Sequence, residues 1–220
     1  MKLKVCGMKY KDNIKAVAAL QPDYLGFIFY EKSPRNFDRE IPEIPNNIKK
    51  TGVFVDASIN FILKKQQQYH FRAIQLHGNE TAEFCNRLRS ELSILSDPPK
   101  PLDSNQSTTE IFKVFSIKDQ FDFDTLKSYE GSVDFFLFDT KGKEKGGNGY
   151  TFDWSVLEKY PSTTPFILSG GIGLDEINKV KAILKTGLPI YGIDVNSKFE
   201  TKPGLKNIED LKEFKKLLVG

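Results

Sequence analysis

The chain has 220 residues, which is long enough to bury a sizeable core, and both βα barrels and doubly wound sheets occur as single domains of this size. Hydrophobic residues make up 39% and charged residues 28%, the composition of a globular protein that is neither disordered nor embedded in a membrane. The formal net charge of +3 is too small to indicate a nucleic-acid partner, and the lysines are scattered instead of forming a block.

The amino-terminal sequence, MKLKVC at residues 1–6, enters a strand directly and lacks the apolar run and cleavage site of a signal peptide. No stretch of the chain approaches the length of a membrane span. Cys6 and Cys85 are the only cysteines, and neither has the spacing of a zinc site or a disulfide framework. We therefore expect a cytoplasmic protein with reduced cysteines and no membrane partner.

Short apolar or β-branched runs recur along the chain and predict about eight strands. The runs are Leu3 to Cys6, Tyr24 to Phe29, Lys50 to Val55, Ala73 to Leu76, Phe112 to Phe115, Phe135 to Phe138, Phe166 to Leu168 and Ile190 to Val195. Segments with helical spacing of apolar residues lie between them, and strict βα alternation implies a parallel sheet. Eight strands in this length fit a closed (β/α)8 TIM barrel of the α/β class, which we expect to span residues 1–220 as one catalytic domain.

Two segments break this alternation. Residues 96–109 (SDPPKPLDSNQSTT) precede the fifth strand, and their Pro, Ser and Asp content is typical of an exposed connection without a function. Residues 141–150 (KGKEKGGNGY) follow the sixth strand, and their glycines suit a mobile lid or a close approach of the backbone to a ligand.

Polar residues that are unusual for a core cluster at the carboxyl ends of the predicted strands, where TIM-barrel enzymes place their active sites. They are Cys6, Arg35, Gln75, His77, Asp139, Ser169, Gly170, Gly171, Asp194, Asn196 and Ser197. Met8, Trp154 and the many phenylalanines are predicted to lie in the core.

The segment SGGIG at residues 169–173 passes from a strand through glycines into a helix. Backbone N–H groups that converge at a helix N-terminus favour an anion such as phosphate. Barrels often bind phosphate between the loops after strands seven and eight, so Asn196 and Ser197 would form the second half of the site. The alternative is that these glycines only make a tight turn.

Cys6 is followed by Gly7, which would leave the thiol near the mouth of the barrel with little cover. Near a phosphate site and an arginine its pKa would be lowered, and the thiolate could act as a base; otherwise it packs as a small hydrophobe. Asp139 ends an apolar strand, where desolvation favours the protonated form that a general acid needs, although it could instead cap the following turn. Gln75 and His77 are weaker candidates, since His77 could simply cap its own turn.

Several motifs, taken together and in order, resemble the phosphoribosylanthranilate isomerase family over nearly the whole chain. The motifs are KVCGM at residues 4–8, GFIFY at 26–30, KSPR at 32–35, GVFV at 52–55, QLHG at 75–78, FDTK at 138–141, GGNG at 146–149, FDW at 152–154, LSGG at 168–171, DVNS at 194–197 and PG at 203–204.

The resemblance implies an enzyme of tryptophan biosynthesis that converts N-(5-phosphoribosyl)anthranilate to 1-(2-carboxyphenylamino)-1-deoxyribulose 5-phosphate by an Amadori rearrangement. It also implies that Cys6 is the general base, that Asp139 is the general acid, and that Arg35 binds the anthranilate carboxylate. We expect Asp194 to bind a sugar hydroxyl. The expected partner is a small phosphoribosyl substrate, with no nucleic acid, no metal and no organic cofactor, and the protein would be a monomer or a homodimer.

The sequence departs from the family pattern at two places. Lys198 and Phe199 replace a small pair after the eighth strand, so the phosphate loop would differ in detail, and Asn207 replaces an Asp near the last helix, where either residue can cap. Rival hypotheses are a sugar-phosphate epimerase, which would need a metal-binding His/Asp set, and indole-glycerol-phosphate synthase, which would need catalytic lysines on its early strands; we recognise neither set in the sequence. A non-catalytic sensor of phosphoribosyl ligands would have no need for both Cys6 and Asp139.

Overall fold

Eight parallel strands close into a barrel, and their order around the barrel is their order in the chain. The computed structural model describes residues 1–95, 109–118, 120–140, 151 and 153–219. The strands are β1 (Lys2–Val5), β2 (Tyr24–Phe29), β3 (Lys49–Phe54), β4 (Ala73–Leu76), β5 (Glu110–Ile117), β6 (Phe135–Thr140), β7 (Phe166–Leu168) and β8 (Ile190–Val195). The predicted TIM barrel is therefore confirmed.

The predicted strand boundaries differ from the observed ones mainly at β5 and β6. β5 continues to Ile117, so Asp139 and Thr140 find backbone partners in Ser116 and Ile117. Asp139 consequently lies within β6 instead of following it, whereas β1 stops at Val5 and leaves Cys6 just beyond its end.

Helices follow only some of the strands. The α-helices are α1 (Lys11–Ala19), α2 (Ile59–Tyr69), α3 (Ala82–Leu95), α4 (Ile177–Ile183) and α5 (Ile208–Val219). Short 3₁₀ helices (Phe123–Tyr129 and Trp154–Lys159) lie between β5 and β6 and between β6 and β7, and residues 30–48 after β2 contain no helix. Prolines at positions 34, 42 and 45 explain that absence, because proline breaks helical hydrogen bonding. Strict alternation of strand and α-helix was thus wrong.

A small antiparallel hairpin follows β8 and was not predicted. Its strands are β9 (Glu200–Lys202) and β10 (Leu205–Lys206). α5 begins directly after it, and Asn207 Oδ1 accepts the backbone N–H groups of Glu209 and Asp210 at 3.1 and 3.4 Å. The predicted capping role of Asn207 is confirmed.

The core has two parts. One cluster contains Tyr24, Ala73, Phe112, Val114, Phe135, Leu137 and Ile167, all on barrel strands, and is distinct from the larger cluster that packs strands against helices. Met8 and Trp154 belong to the larger cluster, as predicted. Within the described residues, no helix has both the length and the apolar character needed to cross a bilayer. The connection predicted over 96–109 lies, apart from Thr109, outside the described residues.

Candidate active site

A cavity of about 680 Å³ opens at the carboxyl ends of the strands. Every site residue predicted from the sequence lines it: Cys6, Arg35, Gln75, His77, Asp139, Ser169, Gly170, Gly171, Asp194, Asn196 and Ser197. Because parallel strands end at the same edge of a barrel, residues far apart in the chain meet here. The glycine-rich segment predicted to act as a lid, 141–150, lies outside the described residues.

The Cys6 thiol is buried beside the cavity, not exposed at the mouth. Cys6 is only 4% exposed, and its backbone N–H donates to Val195 at 2.9 Å. The backbone of β2 approaches the thiol closely, since a Cβ placed on Gly26 would lie 2.8 Å from Cys6 Sγ. Burial raises the pKa of the Cys6 thiol, Lys4 lowers it in part, and Asp194 raises it again. The expected lowering of this pKa is therefore wrong, because desolvation outweighs the nearby cation.

Lys4 and Asp194 form a buried ion pair next to Cys6. Lys4 Nζ lies 2.9 Å from Asp194 Oδ1, and Ser169 Oγ donates to Asp194 Oδ2 at 3.3 Å. Burial raises the pKa of Asp194, and Lys4 opposes that rise. Burial lowers the pKa of Lys4, but Asp194 and Cys6 outweigh it and the net shift is upward. The lysine therefore stays charged inside the protein.

Asp139 is also buried, at 5% exposure, and faces polar side chains at the end of β4, which is separated from β6 by β5. Its Oδ1 accepts the Thr140 N–H at 2.9 Å, and its Oδ2 lies 3.3 Å from His77 Nε2, without hydrogen-bond geometry. Gln75 Nε2 is 3.3 Å from His77 Nδ1. Gln75 Oε1 is buried and has no hydrogen-bond partner within the described chain. The side chain of His77 thus faces Asp139 and does not cap its own turn.

Arg35 is held by Glu200, a residue that was not assigned to the site from the sequence. Arg35 Nε donates to both carboxylate oxygens at 3.0 and 2.9 Å, and Nη2 donates at 2.7 Å. Lys206 Nζ reaches the same carboxylate at 2.6 Å and Asn196 Oδ1 at 2.7 Å. In the part of the chain that is described, Arg35 Nη1 has no acceptor, so the end of the guanidinium remains able to bind an anion.

This network shifts the pKa values of both buried partners of Arg35. Burial opposes the charged form of Glu200, but Arg35 and Lys206 outweigh it and lower its pKa. Burial lowers the pKa of Lys206 to about 8, although Glu200 opposes the change. Glu200 is thus a fixed anion that orients Arg35, while Lys206 is a cation close to losing its proton.

The loop after β7 has the open backbone that anion binding requires. Gly170 and Gly171 have φ values of +87° and +68°, a region that favours glycine. Among the described residues, the backbone N–H groups of Gly171, Ile172 and Ser197 have no acceptor. The Gly173 N–H is taken by the Glu176 carboxylate at 2.9 Å and is not available.

Three charged residues of the site, Lys4, Glu200 and Lys206, were not predicted from the sequence. A lysine two positions before Cys6 on a strand must share its interior face, so alternation could have identified Lys4. It also weakens one argument against the synthase hypothesis, because an early strand does carry a lysine beside the site. No local signal pairs Glu200 with Arg35, which is 165 residues away.

Within the described ranges, no group of three or more His, Cys, Asp or Glu side chains is placed to hold a metal ion.

Comparisons with known proteins agree with one another. The family model for N-(5'phosphoribosyl)anthranilate (PRA) isomerase matches residues 3–216. The N-(5'-phosphoribosyl)anthranilate isomerase of Parabacteroides distasonis is 41% identical over 97% of this chain and 91% of its own, and that of Phocaeicola vulgatus is 37% identical over 94% and 92%. The crystal structure of phosphoribosyl anthranilate isomerase from Thermotoga maritima is 26% identical, covers 100% of this chain and 99% of its own, and has a TM-score of 0.78.

Proposed function

The chain belongs to the N-(5'-phosphoribosyl)anthranilate isomerase family, and from that premise we propose that Cys6 is the general base and Asp139 the general acid of its reaction. The protein is an isomerase of tryptophan biosynthesis. The proposed substrate is N-(5-phosphoribosyl)anthranilate, and the product is 1-(2-carboxyphenylamino)-1-deoxyribulose 5-phosphate. One observation carries the assignment of roles: both side chains are buried and line the same cavity, Asp139 on β6 and Cys6 directly after β1, with only β7 and β8 between these two strands.

The rearrangement needs one proton given and one removed. Asp139 would protonate the ring oxygen of the furanose, which opens the sugar to a Schiff base, and Cys6 would then take the proton from C2. The resulting enolamine tautomerises to the aminoketone. The reaction therefore starts from a thiolate and a protonated carboxyl group.

The raised pKa of Cys6 has a consequence for this chemistry. At neutral pH most of the enzyme carries a thiol, and only the minor thiolate fraction can accept the C2 proton. That thiolate is a stronger base than an ordinary one, which offsets part of its low population. We expect turnover to rise with pH through the neutral range.

Substrate binding would use the groups that the protein leaves without partners. The end of the Arg35 guanidinium suits the anthranilate carboxylate, because Glu200 already fixes the plane of the side chain. Gln75 Oε1 is buried and unpaired within the described residues, so it can accept a hydrogen bond from a sugar hydroxyl, and the Asp194 carboxylate can do the same. His77, whose Nε2 lies 3.3 Å from Asp139 Oδ2, would contact the substrate next to the proposed acid.

The phosphate would bind between the loops after β7 and β8. The N–H groups of Gly171 and Ser197 supply donors there, and the glycine at 170 and the Ser169 hydroxyl belong to the same rim. Asn196 Oδ1 accepts a hydrogen bond from Lys206 Nζ. This contact fixes the orientation of the amide, and its Nδ2 would be a further donor for the phosphate. A cytoplasmic location and a monomeric or homodimeric state stay predictions.

The activity is tested by supplying purified protein with anthranilate, phosphoribosyl pyrophosphate and the transferase that joins them. We expect phosphoribosylanthranilate to disappear faster than it decays spontaneously. A rate equal to the blank would overturn the isomerase assignment and would favour a non-catalytic sensor.

The roles are tested by substitution. Asp139→Asn and Cys6→Ala should each lower kcat by about 10²- to 10⁴-fold with little change in KM. Cys85→Ala is the matched control, because Cys85 is equally buried but lies in α3 and does not line the cavity. Wild-type turnover in either site variant would remove that residue from the mechanism. Arg35→Ala should instead raise KM, and an unchanged KM would count against its role.

A further inference from the structure

Lys4 is a charged residue in a position where charge is costly. Its side chain is 1% exposed, it does not line the cavity, and its strand neighbour in the β1·β8 register is Asp194. A buried ion pair is weak evidence for stability, since well-packed apolar residues often replace one at no cost. The presence of the pair at this point therefore calls for a role other than stability.

Geometry links Lys4 to Cys6. Residues two apart on a strand share a face, so both side chains point into the barrel. They also meet at the same backbone position of β2: a Cβ on Gly26 would lie 2.8 Å from Cys6 Sγ and 3.2 Å from Lys4 Nζ. The absent side chain of Gly26 leaves the space in which the ammonium and the sulfur approach each other.

The charged groups around Cys6 come from several elements. Lys4 on β1 and Lys206 on β10 are cations, and Asp194 on β8 is an anion; all three act directly on the thiol. Asp139 on β6 and Arg35 after β2 line the same cavity. Asp194 holds Lys4 Nζ at 2.9 Å, whereas Lys206 is occupied by Glu200 and Asn196.

We propose that Lys4 is a positioning residue for the base: its ammonium stabilises the thiolate of Cys6, and Asp194 holds the ammonium in place. The proposal rests on the role proposed for Cys6. It explains why a lysine occurs in the buried face of β1, and it assigns Asp194 two opposed effects, since the same carboxylate orients the cation and repels the thiolate.

Removing Lys4 and removing Asp194 should therefore shift the pKa of the Cys6 thiol in opposite directions. Lys4→Met removes the cation, leaves the carboxylate, and should raise the pKa of Cys6 further. Asp194→Asn keeps the shape, removes the anion, and should lower it. A purely structural role for Lys4 would not produce opposite signs, because either substitution would loosen the same contact.

The experiment measures the rate at which iodoacetamide alkylates Cys6 as a function of pH, without substrate. Cys85→Ala is the background, because Cys6 is then the only thiol in the chain. Lys113→Met in the same background is the matched control. Lys113 is also a buried strand lysine, paired with Glu80 at 3.2 Å, and it is not among the groups that act on Cys6.

At pH 8 we expect Lys4→Met to slow alkylation about tenfold or more, which corresponds to one pKa unit, and Asp194→Asn to accelerate it. Lys113→Met should match the background. The proposal is overturned if Lys4→Met titrates like the background, or if both site variants shift the same way. Should Lys4→Met not fold, as judged by circular dichroism, Lys4→Gln decides in its place, because alkylation as fast as the background would contradict the proposal.

Turnover provides a second readout. Lys4→Met should lower kcat with little change in KM, and raising the pH should restore part of the loss. Alkylation needs no phosphoribosylanthranilate, so the two proposals fail separately. If the wild-type enzyme is inactive but the variants show the expected shifts in the pKa of Cys6, only the proposed isomerase chemistry is overturned. If the enzyme is active and those pKa shifts are absent, only the role of Lys4 is overturned.

Discussion

Gly170 is the place where the loop after β7 contacts Asp139, the proposed general acid, and replacing it tests the geometry of the site without changing a functional group. A Cβ at this position would lie 2.3 Å from Thr140 Oγ1, 2.5 Å from the Thr140 backbone nitrogen and 2.8 Å from Asp139 Oδ1. The backbone nitrogen cannot rotate away as a flexible side chain could. Gly170→Ala must therefore displace either the loop or the end of β6.

The size of the effect follows from these contacts. Relief of the 2.5 Å contact requires a shift of roughly 1 Å, and a misplacement of about 1 Å near reacting groups can cost about 100-fold in rate. Alanine at a φ of +87° adds about 1 to 2 kcal/mol of backbone strain. We expect kcat to fall about 100-fold and the free energy of unfolding to fall by more than the strain alone.

The matched control is Gly187→Ala. Gly187 has a similar φ of +78°, but no described atom lies within 4 Å of the point that an alanine Cβ would occupy, so this variant carries the strain without the clash. Both variants are assayed by consumption of phosphoribosylanthranilate and by urea unfolding. Wild-type kcat in Gly170→Ala, or an equal loss of kcat in Gly187→Ala, would refute the contact between this loop and Asp139.

Three further predictions concern the hairpin and the helix after it. Glu200→Gln should raise KM and lower the free energy of unfolding by about 3 kcal/mol, because Arg35 and Lys206 lose a buried counter-charge; unchanged values of both would contradict the network. The pKa of Lys206, about 8, lies below its ordinary 10.5, so between these pH values the unfolded chain binds more protons and the native state gains stability as pH rises. Relative to Lys206→Met, the free energy of unfolding of the wild type in urea should therefore rise by up to about 1.4 kcal/mol per pH unit. A difference between the two free energies that stays constant from about pH 8 to 9.5 would disprove the lowered pKa of Lys206. Asn207→Ala should cost about 1 kcal/mol of stability through loss of the α5 cap, with kcat unchanged, and a loss of kcat would mean that the cap supports the site.

The sequence was sufficient for the barrel and for placing the eleven predicted site residues around one cavity, but not for Lys4, Glu200 and Lys206. Apolar runs are long enough to mark each strand, and in a parallel barrel the residue that follows a run is delivered to the common rim. Gln75 and Asp139, for example, were predicted at that rim from their places in short runs alone, and both line the cavity.

Other features depend on contacts that no local pattern reveals. The enclosure of Cys6 results from Gly26 on the neighbouring strand, so Gly7 next to it in sequence gave a false impression of exposure. Glu200 reaches Arg35 only because the hairpin after β8 packs against the loop that follows β2. The sign of a pKa shift is similarly a balance of burial against neighbouring charges, and the sequence shows neither of them.

The alternation of the strands connects the stability of this barrel to its chemistry. Ala73, Leu137 and Ile167 belong to the smaller apolar cluster, and two residues further along the same strands stand Gln75, Asp139 and Ser169. Because side chains two apart share a face, the polar layer of the site rests directly on an apolar floor. On β1 the residue two positions before Cys6 is Lys4, so a buried ion pair lies beneath the thiol, and burial raises the pKa of that thiol. The proposed base needs that buried cation, since a thiolate at 4% exposure has little access to solvent that could stabilise its negative charge.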